Sequence, residues 1–237
     1  MKWNVKYLII SLVYLLLGEF MYAQEKDTKH ALGASVGITF GGPMSKMVTH
    51  LENNNFDYYS NGGWFGPISY PVKSGPRGEF SLSYILMGSN SKDIEFSFTY
   101  AELGEVAGST GQGHRIELGF RNYALGVFYQ FGPRLTKFSV GPTLMLNQVY
   151  AVEFMDYKES NKIIDDKITA GLKGTALIYF WNRRVTYGNI GISYLLTLPT
   201  EHGPFPVNDS ENELAELEKT KLNFGYGTVF FAFGVKF

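Results

Sequence analysis

Hydrophobic and polar residues alternate along most of the chain. In the first such stretch, apolar side chains occupy every second position from Leu32 to Phe40, with Gly, Ser and Thr between them. Because successive side chains of a β-strand point to opposite faces, this period of two predicts strands with one apolar face and one small or polar face. The pattern occurs in eight stretches, at residues 32–40, 79–86, 93–100, 115–131, 138–146, 168–181, 185–196 and 224–237.

Two of these stretches change parity part of the way along. In Arg115–Phe131 the apolar positions are even-numbered up to Phe120 and odd-numbered from Tyr123. A one-residue bulge near Arg121–Asn122 would return all of them to one face, and two short strands are the alternative. The seventh stretch changes parity near Gly188 in the same way. Counting the fourth stretch as one bulged strand gives an even total of eight strands.

The connections between the stretches alternate between short and long. Short turns are predicted at 88–91, 132–135 and 182–184, and long loops at 41–77, 103–113, 147–167 and 197–223. This is the organisation of an all-β, eight-stranded antiparallel up-and-down transmembrane β-barrel. The bulky apolar face should point outward, since the interior of eight strands is only wide enough for side chains to fill. A soluble barrel or sandwich is the alternative.

The N-terminus has the features of an export signal. Lys2 and Lys6 precede an apolar stretch at residues 7–17, and a small residue, Ala23, ends the segment. Eleven residues are too few for a membrane-spanning helix, which needs roughly 20. We therefore predict a cleaved signal peptide at 1–23 and a mature barrel at 24–237, with an N-terminal membrane anchor as the alternative.

Composition excludes several classes of function. The chain has no cysteine, so a disulfide framework, a thiolate metal site and a cysteine nucleophile are all ruled out. Its formal net charge is −1, which gives no electrostatic reason to expect a nucleic-acid partner. With 19 Phe, 16 Tyr and 27 Gly beside 18% charged residues, the composition suits strands with aromatic faces.

The C-terminal strand carries the most specific resemblance. Apolar residues alternate from Val229 to the final residue, Phe237. In this the chain resembles the small outer-membrane β-barrel family of OmpA and OmpX, whose last strand also ends in an aromatic residue. The resemblance implies a place in the outer membrane of a Gram-negative cell envelope, among membrane lipids and lipopolysaccharide. It also implies insertion by the barrel-assembly machinery, with an assembly signal at Phe231, Phe233, Val235 and Phe237.

Charged residues also fall on the predicted inner face. Charges in a narrow interior of low dielectric should be paired, so we expect a network of ion pairs that plugs the barrel. A narrow, porin-like ion path is the alternative. The predicted lumen network comprises Glu79, Asp93, Glu95, Arg115, Glu117, Arg121, Lys137 and Lys173.

The first long loop is rich in aromatic residues set among Asn, Gly and Ser. This combination is typical of adaptable recognition surfaces, and it suggests a glycan or an envelope protein as partner. The alternative is that the rings pack on one another and cap the barrel mouth. The residues concerned are Phe56, Tyr58, Tyr59, Trp64, Phe65 and Tyr70.

No arrangement of residues identifies a reaction. The histidines are His30, His50, His114 and His202, and none has a serine and an acid at a spacing that demands a triad, although triads assemble in space. We expect no enzymatic activity, no cofactor and no metal. The predicted function is a non-enzymatic outer-membrane barrel with a structural or binding role through its extracellular loops. The alternatives are a subunit of a secretion, uptake or assembly complex, a narrow channel, or a lipid-modifying barrel enzyme.

Overall fold

Long antiparallel strands dominate the computed structural model, which describes residues 29–56, 59–61, 67–88, 92–110, 115–133, 135–155, 158–205 and 217–237. A barrel is formed by β1 (Lys29–Gly41), β4 (Val72–Met87), β5 (Asp93–Ser109), β6 (Arg115–Phe131), β7 (Thr136–Met155), β8 (Lys158–Asn182), β9 (Thr186–Thr197) and β12 (Tyr226–Lys236). Between β1 and β4 lie a helix, α1 (Met44–Asn53), and a hairpin of β2 (Tyr59–Asn61) with β3 (Pro67–Ser69). A second hairpin, β10 (Thr200–His202) with β11 (Thr220–Leu222), connects β9 to β12.

The barrel closes in simple sequence order. Each barrel strand pairs with the next one along the chain, and β12 returns to pair antiparallel with β1, from Ala31 opposite Lys236 to Gly41 opposite Tyr226. The ring has eight strands and no open edge. The predicted fold class, and with it the resemblance to small outer-membrane barrels at the level of fold, is confirmed.

A continuous band of apolar side chains covers the outside of the barrel. On β1, Val36 is 60% exposed and Ile38 is 72% exposed, while Gly37 between them faces inward. The same alternation holds on the other seven strands, so the exposed apolar area far exceeds what a soluble monomer tolerates. Such a surface needs lipid around it. Phenylalanines near the ends of the strands also point outward, at Phe40, Phe80, Phe131, Phe138, Phe180 and Phe237.

Above the apolar band, on the side of the long connections, apolar side chains face inward and polar side chains face outward. Strand β6 keeps its even-numbered side chains inside throughout, from Ile116 to Gln130. The predicted bulge near Arg121–Asn122 is therefore wrong. The surroundings of the outer face change along β6, whereas the even-numbered side chains stay on the inner face throughout. A bulge lies instead on the neighbouring strand β5, between Glu102 and Glu105.

The same reasoning corrects the seventh stretch. Tyr187 on β9 is 4% exposed and points inward, in phase with Asn189 and Ser193. No parity change occurs near Gly188. Tyr187 contributes instead to a small apolar cluster with Ala31 and Ile85 inside the other end of the barrel.

A second hydrophobic core fills the barrel end that carries the long connections. We call this region the dome; it consists of α1, Phe56, the β10–β11 hairpin, Phe205, Leu217, Phe224 and the parts of β5–β8 at residues 101–109, 115–120, 147–155 and 158–170. The amphipathic helix α1 buries Met44, Met47 and Leu51 against this core. The dome therefore has apolar residues inside and polar residues outside, as a soluble protein does.

The dome explains why all four predicted long loops contain regular structure, since β5 continues to Ser109 within 103–113, and β10 and β11 lie within 197–223. The stretch 147–167, expected to be a loop, is largely strand, because β7 continues to Met155 and β8 begins at Lys158. Val149 and Ala151 on β7 are buried in the dome core. Their burial stabilises the pairing of β7 with β8 above the apolar band. The stretch 41–77 likewise contains α1, β2, β3 and the start of β4.

The predicted signal peptide at 1–23 lies outside the described residues. Among the described residues, no helix has both the length and the hydropathy needed to cross a membrane.

The apolar band predicts how a charge would be tolerated at different heights of the wall. Ile192, in the middle of β9, points outward and is 59% exposed. Ile192→Lys should lower the free energy of unfolding from lipid by about 2–4 kcal/mol, because the ammonium group would face hydrocarbon. The matched control is Ile164→Lys on the outer wall of the dome, where the cost should be below about 1 kcal/mol. Urea titration in lipid vesicles gives both values, and equal costs would contradict a lipid-facing band at Ile192.

Candidate functional site

Two buried ion pairs lie in the lumen below the dome. In the first, Lys173 Nζ on β8 lies 2.9 Å from Glu79 Oε1 on β4. Thr228 on β12 donates a hydrogen bond of 3.1 Å to the other oxygen of Glu79. The Glu79 side chain is 2% exposed and that of Lys173 is 12% exposed. Three strands on opposite walls are thereby tied together across the barrel axis.

The second pair lies nearer the short turns. Lys137 Nζ on β7 is 3.0 Å from Asp93 Oδ2 on β5, and both side chains are 8% exposed. The other oxygen of Asp93 accepts a 3.2 Å hydrogen bond from the backbone N–H of Gly88, so this carboxylate also fixes the turn between β4 and β5. Glu95, two residues further along β5, accepts a hydrogen bond from the Gln130 amide.

The space left between these groups is small. A cavity of about 60 Å³ lies among Glu79, Glu95, Lys173 and Tyr187, which is room for a few water molecules. Towards the short turns the apolar cluster of Ala31, Ile85 and Tyr187 forms a floor. On the other side the dome core begins. The lumen is thus a small polar pocket between two packed layers.

Three of the predicted lumen residues are not in the lumen. Arg115, Glu117 and Arg121 occupy odd-numbered positions of β6 and point to the outside of the dome. The error has the same cause as the mistaken bulge: above the apolar band the polar face of the strand is the outer one. Arg115 pairs with Glu117 on the same strand, and the Arg121 Nε donates a 3.0 Å hydrogen bond to Glu102 on β5.

A tyrosine lies flat on the outer wall beside Arg121. The ring of Tyr150 covers Gly119, where any side-chain carbon would collide with the ring. The guanidinium carbon of Arg121 is 4.5 Å from the ring centre, and the Tyr150 hydroxyl donates to Glu105. Partial burial and then the Glu105 carboxylate raise the pKa of Tyr150 above its usual range. The result is a self-contained polar cluster just above the apolar band.

The aromatic residues of the first long connection do not form one surface in the described part of the chain. Phe56 is 1% exposed and packs in the dome core beside Leu51 and Gly108. It therefore caps the barrel and is unavailable for recognition, contrary to its predicted role. Tyr70 is partly exposed, and the backbone of Tyr59 lies in the β2–β3 hairpin. The remaining members, Tyr58, Trp64 and Phe65, lie outside the described residues.

The C-terminal residue closes an aromatic cluster at the short-turn rim. His30 lies between Tyr84 and Phe237, with 5.7 Å between ring centres on either side. The Tyr84 hydroxyl is 2.6 Å from His30 Nδ1. The predicted assembly residues all point outward on β12: Phe231, Phe233, Val235 and Phe237.

Sequence reasoning missed several partners of the buried charges. Thr228 and Gln130 belong to the inner faces of β12 and β6, where small or uncharged polar residues give no signal of their own. Glu102 and Glu105 lie on either side of the bulge in β5, which changes the phase of Glu105 relative to the start of the strand. Among the described residues, no group of three or more His, Asp or Glu side chains is placed to hold a metal ion.

Comparison with known proteins finds similarity only in architecture. No family model matches the sequence, and no curated protein matches it significantly. The outer membrane protein OprG from Pseudomonas aeruginosa is 12% identical with a TM-score of 0.46, over 90% of this chain and 97% of that chain. A major outer membrane protein from Thermus thermophilus is 9% identical with a TM-score of 0.42, over 90% and 100%.

A third similar structure is Ail, the attachment invasion locus protein of Yersinia pestis, solved with the heparin analogue sucrose octasulfate. It is 12% identical with a TM-score of 0.41, over 90% of this chain and 100% of that chain. The fold described above rests on the strand pairing of this chain itself.

The Glu79–Lys173 pair predicts an asymmetry between breaking and replacing it. Glu79→Gln should cost about 3–5 kcal/mol of unfolding free energy, because Lys173 would remain as a buried charge without its counter-ion. Changing Glu79→Gln together with Lys173→Met should recover most of that loss. Glu117→Gln, which breaks the exposed pair with Arg115, should cost less than about 1 kcal/mol. Urea titration in lipid vesicles measures all three variants, and a double variant as unstable as Glu79→Gln would contradict the pairing.

Proposed function

We propose that the protein is an outer-membrane β-barrel of a Gram-negative bacterium with a non-conducting lumen, and that its dome faces the cell exterior in a structural or binding role. Export by a cleaved signal peptide and insertion by the barrel-assembly machinery belong to this proposal. The apolar band would then contact membrane lipids, including the acyl chains of lipopolysaccharide in the outer leaflet.

One observation carries the proposal: the apolar band runs around all eight strands of a closed sheet. In hydrocarbon every backbone N–H and C=O must be paired within the protein, and a closed barrel is one of two structures that achieve this. Short turns at one end and the dome at the other match the usual arrangement of periplasmic turns and larger extracellular parts. The orientation follows from the same comparison.

A closed lumen is supported by three layers in series. The floor around Tyr187, the Glu79–Lys173 pair and the dome core lie one above another inside the barrel. Leu118 and Phe120 of the dome core are 0% exposed, so the described part of the dome is packed above the ion pairs. Eight strands leave no wider path.

The dome is the part of the molecule on which a binding role would rest. Its outer surface combines the exposed face of α1, at Ser45, Lys46 and Glu52, with the outer wall around Arg121. The hydrophobic core beneath holds these parts in fixed positions. A rigid support of this kind lowers the entropy lost when a surface binds a partner.

Current recording tests the closed lumen. Purified protein in a planar bilayer should give no unitary conductance steps in potassium chloride. The double variant Glu79→Ala with Lys173→Ala should also stay silent, because the floor and the dome core still block the axis. Discrete conductance steps in the wild-type protein would contradict the proposal, whereas steps in the double variant alone would show that the ion pair is the main barrier.

Cysteine labelling tests the location and the orientation. Since the natural chain has no cysteine, a single introduced thiol gives an unambiguous signal. Lys46→Cys on the exposed face of α1 should react with a membrane-impermeant maleimide on intact cells. Arg183→Cys, at the turn between β8 and β9, should react only after the outer membrane is permeabilised. The opposite pattern would reverse the proposed orientation, and labelling of neither site in membranes would contradict a membrane location.

A further inference from the structure

A row of hydrogen-bonded side chains lies in the dome where β9 separates from β8. His202 Nδ1 is 3.1 Å from Asp165 Oδ2, and His202 Nε2 is 2.9 Å from the hydroxyl oxygen of Thr200. Asp165 and His202 are 37 positions apart in the sequence. Thr200 and His202 are two positions apart. Hydroxyl, imidazole and carboxylate thus stand in the order of a nucleophile, a general base and the acid that orients it.

The proton positions follow from the partners. A carboxylate can only accept a hydrogen bond, so the Nδ1 facing Asp165 carries the imidazole proton. Nε2 is then the free acceptor, and the Thr200 hydroxyl donates to it. Burial lowers the pKa of His202, although the Asp165 carboxylate opposes this effect, and so favours the neutral imidazole that a base requires. Asp165 stays ionised because hydrogen bonds from Gly203 N–H and Lys167 outweigh its burial and lower its pKa.

An amide donor lies on the other side of the Thr200 hydroxyl. Asn147 Nδ2 is 3.4 Å from Thr200 Oγ1. The oxygen of the same amide accepts a 2.7 Å hydrogen bond from Asn122 Nδ2, which turns the Asn147 NH₂ group towards Thr200. Both asparagines are 0% exposed. An NH₂ group fixed beside a nucleophile is placed to donate to the oxyanion that forms when the nucleophile attacks a carbonyl carbon.

The strand pairing of the wall ends beside this place. Pairing between β8 and β9 ends at Gly171 opposite Thr197, followed by one long backbone bond of 3.4 Å from Leu198 N to Ala170 O. In the part of the chain that the structure describes, β10 then pairs with β11 and not with β8. We call this separation the seam, bounded by residues 164–170 of β8 and 198–202. Thr200 at the seam is partly exposed.

The lips of the seam are apolar. Leu198 is 65% exposed and Ile168 is 63% exposed, one on each side of it. Both lie at the upper edge of the apolar band, where Leu172 and Leu196 are neighbours on β8 and β9. A molecule that reaches Thr200 through the seam would therefore contact apolar surface with one part and the polar row with another, as an amphiphile with an acyl chain does.

We propose that Thr200, His202, Asp165 and Asn147 form an acyl-transfer site that hydrolyses the carboxylic ester of an acyl-chain amphiphile entering at the seam. Thr200 Oγ1 attacks the ester carbonyl carbon while its proton passes to His202 Nε2. The bond from carbon to the leaving oxygen breaks, and the proton on Nε2 goes to that oxygen, releasing an alcohol. The acyl group remains as an ester of Thr200.

Water completes the cycle. His202 Nε2 takes a proton from a water molecule, which attacks the acyl carbon, and the bond to Thr200 Oγ1 breaks. The proton then returns to Oγ1, and a carboxylic acid leaves. Asn147 donates to the oxyanion in both halves, and Asp165 acts as a positioning residue that holds the His202 tautomer. This proposal and the sequence-based prediction of a non-enzymatic barrel exclude each other.

The experiment uses the full-length barrel folded in detergent micelles and two probes. An alkyl fluorophosphonate should phosphonylate the protein once, and peptide mass spectrometry should place the adduct on Thr200. The same preparation should release 4-nitrophenol from 4-nitrophenyl octanoate. Thr200→Val should abolish both signals and Thr200→Ser should retain them. Asp165→Asn should slow phosphonylation of Thr200 by about 10⁴-fold, as loss of the orienting carboxylate does in other triads.

Controls separate chemistry from folding. Thr49→Val removes a hydroxyl on α1, outside the seam, one that donates to the carbonyl oxygen of Ser45, and should leave both signals unchanged. The mobility difference between boiled and unboiled samples shows that each variant is folded. Folded wild-type protein with no adduct at Thr200 and no turnover above Thr200→Val would overturn the proposal. The proposed location and closed lumen would be unaffected, since neither depends on Thr200.

Discussion

The pairing of β1 with β12 is the constraint on which the rest of this structure depends. A sheet exposed to hydrocarbon must satisfy every backbone N–H and C=O internally, so the strands are stable there only as a closed ring. Closure fixes which side chains face outward, such as Val36 and Phe231, and which side chains share the narrow interior. The interior charges must then find partners in a confined space, and Glu79 with Lys173 and Asp93 with Lys137 do so.

Above the lipid the same closed sheet meets the opposite requirement. Water favours polar residues outside and apolar residues inside, and the upper strands comply without changing direction. Ile116, Leu118 and Phe120 face inward and pack with α1 and the β10–β11 hairpin, while Arg121 and Tyr150 face outward. The dome is thus built on a membrane barrel with the apolar interior and polar exterior of a soluble protein, and His202 is buried within it beside the partly exposed Thr200.

The sequence was sufficient for the strands and their closure but not for the dome. Alternation from residue 32 to 40 or 229 to 237 reveals two faces, and the bulk of one face indicates lipid. It does not reveal where along a strand the surroundings change from lipid to water, so Ile116 and Phe120 were assigned to the outside and Arg115 to the inside. The Asp165–His202 contact gives no spacing signal either, because strand register and a departing hairpin bring it about.

Strand β6 runs through both surroundings with a single register, and this ties two otherwise separate cores together. A one-residue insertion or deletion in such a strand reverses the facing of every residue beyond it. Loss of one residue near Ala124 would therefore either turn Leu118 and Phe120 out to water or turn Leu125 and Val127 into the lumen. The wall strands should consequently tolerate substitutions far better than changes of length, and variation in length should accumulate in the connections above the dome.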